Sequence, residues 1–204
     1  MRHRLLLVLL ATPVLAACEL PPLPYGDGSG RTVFVTGDSL VAEAEALVTV
    51  ALALDGGRVA VRAADGSDIG WAAARLEDQL QLPPDVAVVA AGTNSWPGGW
   101  DRRDRRAVRD VVRLAAGVGC VVWVTPATHV WEGGRRRRAR FYDTVVAAVE
   151  AAADAEPNLR VARWDRHAAS HGDWYADDGV HHSDAGRAAY AAFIRDSVRE
   201  LCPA

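Results

Sequence analysis

From residue 32 onward, short apolar runs alternate with longer Ala- and Leu-rich stretches, and that alternation leaves few folds open. The apolar runs are Thr32–Thr36, Arg58–Ala63, Val86–Ala91, Val121–Thr125 and Leu159–Arg163, rich in Val and Ala as a sheet buried on both faces requires. Between and after them, Leu40–Leu54, Ile69–Leu80, Arg103–Ala116, Arg138–Ala155 and Ser183–Leu201 read as helices. Strict β–α alternation predicts parallel strands joined by right-handed crossovers, hence a three-layer α/β/α sandwich with a five-stranded parallel sheet. The chain has 204 residues, half of them hydrophobic, enough for one domain over residues 32–204. Ligands of such sheets bind beyond the carboxyl ends of the strands. The loops Gly37–Ser39, Ala64–Asp68, Gly92–Trp100, Pro126–Arg135 and Trp164–His182 should therefore open onto one face.

The amino-terminal segment has another logic. Arg2 and Arg4 precede an apolar run, Leu5 to Leu15, too short to span a bilayer. Leu15-Ala16-Ala17-Cys18 follows and resembles the lipobox of bacterial lipoproteins, in which the cysteine is lipidated. An ordinary secretory cleavage near Ala16 or Ala17 is the alternative. Both export the protein, as a lipid-anchored or a secreted form. Removing residues 1–17 takes Arg2 and Arg4 away and moves the formal charge from −3 to −5, which offers nothing to nucleic acid. Residues 18–31, with Pro21, Pro22, Pro24 and a Gly-rich stretch, read as a tether. Cys120, before the fourth strand, and Cys202, after the last helix, would lie at the same end of the sheet. In an exported protein they can form a disulfide or remain two buried thiols.

Chemistry-bearing residues fall on the predicted active face. Gly37-Asp38-Ser39-Leu40 puts a hydroxyl where the first strand ends and a helix begins, among unpaired N–H groups that favour developing negative charge. Asp178-Gly179-Val180-His181 lets one loop deliver a base and the carboxylate that orients it, although it can equally be a helix-start loop with an incidental histidine. Gly92-Thr93-Asn94 follows the third strand, where an amide can donate to an oxyanion or simply close a turn. Gly66, with Gly70 as a competitor, can bring a backbone N–H close to a ligand.

These four blocks, in this order, resemble the SGNH hydrolase superfamily, also called the GDSL esterase/lipase family, over residues 32–204. The resemblance implies a flavodoxin-like SGNH hydrolase fold. It also implies Ser39 as nucleophile with Asp178 and His181, and an oxyanion hole built from Ser39, Gly66 and Asn94. A serine mechanism of this kind would need no metal or organic cofactor. Two positions depart from the family pattern: Ser95 stands where an Asp usually follows the oxyanion Asn, and His182 follows the implied base. The spacing from Asp178 selects His181 over His182, and Asp177 over Asp178 would leave Val180 at the base position. The rival α/β-hydrolase motif, Gly-x-Ser-x-Gly, is broken by Val41.

Weaker signals complete the reading. His167 and His171 lack the partners of a zinc site and read as surface histidines. Arg135–Arg138 with Arg140 reads as a solvated helix start, or as a contact for anionic lipid or wall polymer. Trp96, Trp100, Trp131 and Trp174 lie in active-face loops, where they can pack internally or wall a substrate site. The expected protein is a monomeric serine esterase acting on cell-wall glycan or lipid esters. The alternative is a non-catalytic lipoprotein that binds glycan or a protein partner.

Overall fold

The computed structural model describes residues 30–95, 100–133 and 135–203. The expected signal segment 1–17, Cys18, the tether up to residue 29 and Trp96 lie outside these. The strands are β1 (Thr32–Gly37), β2 (Arg58–Ala63), β3 (Val86–Ala90), β4 (Cys120–Val124), β5 (His129–Glu132), β6 (Arg135–Arg138) and β7 (Leu159–Ala162). The helices are α1 (Ser39–Ala53), α2 (Ile69–Gln79), α3 (Arg102–Ala115), α4 (Arg140–Ala155), the short α5 (Trp164–His167) and α6 (Asp184–Leu201).

Five strands form a parallel sheet in the order β2-β1-β3-β4-β7, and β5 and β6 pair as a separate antiparallel hairpin. Side chains of a strand alternate between faces, so each buried strand feeds two cores. Val86, Val88 and Ala90 of β3 join Val41, Val48, Ile194 and Val198 on the side covered by α1 and α6. Ala87 and Val89 point the other way, into a core with Leu76, Val111, Val145 and Trp123 beneath α2, α3 and α4. This is the expected sandwich.

The strand order also positions the site. From β1 the chain moves outward to β2, then returns to place β3 on the other side of β1. The carboxyl ends of β1 and β3 therefore flank a topological switch point, where an open α/β sheet forms a crevice. Gly37–Ser39 and Gly92–Asn94 leave the sheet there.

The third and fourth strands stop one residue early, at Ala90 and Val124, and two further differences have a visible cause. The helix predicted from Arg138 begins at Arg140, and Arg135–Arg138 is strand β6, paired from Arg138 opposite His129 to Arg135 opposite Glu132. Arginine favours a helix in isolation. Here the packing of Val130 and Trp131 against the domain commits the segment to a hairpin instead. The last strand ends at Ala162 rather than Arg163, because the Arg163 guanidinium turns to make two 2.7 Å hydrogen bonds to Asp165 at the start of α5.

Cys120 and Cys202 form a disulfide, with Cα atoms 5.9 Å apart. It ties the end of α6 to the amino end of the sheet, opposite Ser39. No helix among the described residues is long and apolar enough to cross a membrane.

Candidate active site

Ser39 opens α1 immediately after β1. Gly37 permits that turn, since a Cβ there would collide with the Val41 side chain and the Ala90 carbonyl. Asp38 then caps the helix and does more than a cap requires. One carboxylate oxygen accepts from Leu40 N–H at 3.2 Å and the other from Thr93 N–H at 3.2 Å. The serine turn and the loop carrying Asn94 are thus joined through one buried carboxylate. Burial pushes Asp38 up to about 6, with the Leu40 and Thr93 hydrogen bonds pulling the other way.

The loop before α6 brings His181 over Ser39. Ser39 Oγ lies 3.0 Å from His181 Nε2, and His181 Nδ1 lies 2.6 Å from Asp178 Oδ2. The other Asp178 oxygen accepts from the N–H groups of Val180 and His181, both at 2.9 Å, which locks the short loop around the carboxylate. With Asp178 ionised, Nδ1 carries the proton and Nε2 is left to accept from the serine hydroxyl. Partial burial pushes the Asp178 carboxyl up, but the hydrogen bonds from the His181 ring and the two backbone N–H groups outweigh it and hold it below its usual value. The hydrogen bond to Asp178 raises His181 above its ordinary 6.5.

His182 and Asp177 have other surroundings. His182 is buried against Trp164, Tyr175 and Tyr190, and burial, then the charges of His181 and Arg187, lower it to about 4. Its ring is a neutral core group. Asp177 is exposed.

The oxyanion candidates form a connected group. Asn94 Nδ2 donates to Ser67 O at 3.1 Å, and Ser67 Oγ donates to Gly37 O at 3.0 Å. An amide nitrogen has two hydrogens, so this bond orients Asn94 and leaves one for a ligand. Gly66 has φ +69° with open space where a Cβ would lie, so its backbone conformation, rather than crowding, calls for glycine. Gly70 lies inside α2. Tyr142 OH supports the same region by donating to Thr93 O at 3.2 Å. Ser95 Oγ is buried without a hydrogen-bond partner among the described residues.

Several contributors escape a linear reading. Asp38, Ser67 and Tyr142 act through contacts 27 to 55 residues away in sequence. Glu43 Oε1 stands 3.9 Å from His181 Nε2, and only its position one helical turn after Ser39 hints at this. The loop tryptophans pack internally: Trp174 stacks on Trp164 and His171, Trp131 on Tyr175, and Trp100 joins the core beneath α3. His167 and His171 flank Trp174, and no group of metal-ligating side chains occurs among the described residues.

A small pocket of about 10 Å³ lies beside the site, lined by Leu40, Thr93, His129, Tyr142, Tyr175 and Val180 among others. Its walls include the direct chain neighbours of Ser39, Asn94 and His181.

The model of the GDSL-like Lipase/Acylhydrolase family matches residues 25–189. This chain belongs to that family. It is a GDSL-type acylhydrolase, an enzyme, and the non-catalytic alternative falls away. No curated protein matches it in sequence. Among solved structures, a lipase/acylhydrolase from Enterococcus faecalis is similar at 19% identity and TM-score 0.66, over 84% of this chain and 97% of that one. The C-terminal catalytic domain of peptidoglycan O-acetyltransferase A from Streptococcus pneumoniae matches at 19% identity and TM-score 0.63, over 85% and 95%. An acetylxylan esterase from Geobacillus stearothermophilus matches at 20% identity and TM-score 0.60, over 86% and 95%. At these identities the likeness establishes the GDSL acylhydrolase's fold.

Proposed function

We propose that this GDSL acylhydrolase is a serine esterase that removes short acyl groups, acetyl first among them, from cell-wall carbohydrate. The observation that carries the chemistry is the Ser39–His181–Asp178 relay, with its two hydrogen bonds of 3.0 and 2.6 Å. Ser39 Oγ attacks the ester carbonyl carbon while its proton passes to His181 Nε2. The tetrahedral oxyanion takes hydrogen bonds from the N–H groups of Ser39 and Gly66 and from the Asn94 amide. The C–O bond to the sugar breaks, and the departing oxygen takes the proton from His181. Water then attacks the acyl-enzyme, giving one proton to His181, and Ser39 leaves with it as the free acid departs.

The short-acyl preference is supported by the small space beside the site, whose walls of Leu40, Thr93, Tyr142 and Val180 leave little room for a long chain. Carbohydrate as the leaving group is supported by two similar folds whose proteins are named for acetyl chemistry on peptidoglycan and on xylan. Placement adds a third argument. Gly30 donates to Gly56 O at the amino end of the sheet, opposite Ser39. An anchor at Cys18 would join the domain at that end through the tether, leaving the site free to reach the wall.

The test is a panel of p-nitrophenyl esters of increasing chain length, run with wild type and Ser39→Ala. Wild type should cleave acetate best and Ser39→Ala none of them. Equal hydrolysis by both proteins removes Ser39 from the mechanism, and a preference for long chains removes the short-acyl assignment. For the anchor, Cys18→Ser should move the protein from the membrane fraction to the soluble fraction of its exporting cell.

A further inference from the structure

The β5–β6 hairpin is not needed for the chemistry above, yet it is built into the site. Trp131 N–H donates to Gly179 O at 3.2 Å, which bonds the hairpin directly to the loop that carries Asp178 and His181. Gly179, at φ +68°, has no side chain because a Cβ would run into the Trp131 backbone. The Trp131 ring lies over Gly172 and stacks on Tyr175. His129 and Val130, at the start of the hairpin, wall the pocket beside Ser39.

Its second strand is unusual. Arg135, Arg136, Arg137 and Arg138 are consecutive and all exposed, with Arg140 exposed two residues further on. Cross-strand pairing places Arg136 and Arg138 on the same face as Trp131 and His129. Arg136 Nη2 reaches to 3.2 Å from His129 Nδ1, and Arg138 pairs with Asp143 at 2.8 Å. Five arginines thus lie within six residues, on a chain whose formal charge is −3. An anionic ligand would be repelled by the rest of the surface and drawn to this rim of the crevice. Guanidinium groups are suited to carboxylates because their fork of donors matches both oxygens.

We propose that β6 and Arg140 form a docking track for a carboxylate-bearing polysaccharide whose ester-linked acyl group is presented to Ser39. This rests on the carbohydrate reading above and narrows its substrate class to an anionic glycan. The membrane is the less suitable occupant, because the hairpin is bonded to the loop that carries Asp178 and His181, at the crevice where a substrate reaches Ser39. The arginines would hold sugars flanking the acylated one, while the small pocket takes the acyl group.

Binding can be separated from catalysis. Ser39→Ala protein titrated calorimetrically with polygalacturonate should bind it, and raising NaCl to about 0.3 M should weaken that binding strongly because exposed charges are screened. Neutral xylan should bind far less. Adding Arg135→Gln, Arg136→Gln, Arg137→Gln and Arg138→Gln together should weaken polygalacturonate binding about tenfold or more, since each exposed pair contributes modestly. Circular dichroism melting guards against an unfolded variant, and the salt series on the Ser39→Ala protein with the hairpin intact does not depend on that variant folding.

In the otherwise native enzyme, the same arginine changes should lower kcat/KM on acetylated polygalacturonate relative to acetylated xylan, chiefly through KM. Equal binding of both polymers, or binding indifferent to salt and to the arginines, overturns the docking track. So does arginine-dependent binding to phosphatidylglycerol vesicles with none to polygalacturonate. A wild type inactive on every ester that still binds polygalacturonate through these arginines would sink the esterase reading and leave the docking surface standing.

Discussion

Asp38, behind Ser39, is the residue at which stability and the proposed function oppose each other. Its carboxylate bridges two backbone N–H groups on different loops, but burial holds its pKa at about 6 against an ordinary 3.8. A carboxyl raised by folding is protonated more readily in the folded state, so its contribution to stability falls as pH rises from about 4 to about 6. Keeping it ionised at neutral pH then costs about 3 kcal/mol. Asp38→Asn should abolish that part of the pH dependence, measured as the difference between wild-type and variant urea denaturation curves across this range. It should also lower kcat, because an amide has one acceptor oxygen, so either the Leu40 or the Thr93 N–H would face the new NH2. In the proposed mechanism, His181 governs the catalytic pH profile. Its imidazole must be neutral to take the serine proton, and Asp178 raises its pKa above 6.5. Activity on p-nitrophenyl acetate should therefore fall with acidification through a midpoint above 6.5; a midpoint well below it would detach His181 from the base role. Asn94→Ala should cost about 100-fold in kcat or more, with little change in KM, if its amide serves the transition state.

At the scale of elements, the long connection between β7 and α6 must be rigid, because it carries both Asp178 and His181. Asp165 anchors its beginning. It accepts from Thr125 Oγ1 at 2.8 Å and from Arg163 twice at 2.7 Å, joining α5 to the end of β4. Burial pushes the Asp165 carboxyl up, yet the Arg163 and Thr125 hydrogen bonds prevail and hold it below its usual value. Asp165→Ala would leave Arg163 and Thr125 without their shared partner and should destabilise the fold by about 2–4 kcal/mol in urea denaturation. The hairpin braces the end of this connection at Gly179. Gly179→Ala combines a positive φ with a backbone collision, so a loss of about 1–3 kcal/mol is expected. The accompanying fall in kcat should exceed that of Gly133→Ala at the hairpin turn, where φ is +55° but space is open.

For the whole molecule, the two ends of the sheet have separate duties. The carboxyl end carries Ser39, Asn94 and the hairpin. The amino end carries Gly30 and the Cys120–Cys202 disulfide, which closes a long loop across a sequence separation of 82 residues. Cross-linking so long a loop restricts the unfolded chain, and replacing both cysteines by serine should lower unfolding free energy by about 2–4 kcal/mol. Activity of the folded double variant should remain near wild type, since the bond lies at the end of the sheet away from Ser39. A matching loss of kcat would show that α6 transmits strain to His181.

The layer architecture was legible in the sequence alone, and so was a candidate constellation of Ser39, Asp178, His181, Asn94 and Gly66. Strand and helix periodicities are local, and a parallel sheet has one ligand-binding end, so the loops carrying these residues could be sorted without coordinates. The choice of His181 over His182 was partly legible from the spacing to Asp178. The burial of His182 among Trp164, Tyr175 and Tyr190 required the packed fold. Tertiary structure alone decided that Arg135–Arg138 is a strand, because its pairing partner and the Trp131 anchor outweigh local helix preference. It alone joined Asp38 to Thr93 and Ser67 to Asn94, since contacts between loops depend on which strands become neighbours. The candidate reacting groups were legible because each is delivered by a short local motif, whereas the framework that orients them is long-range.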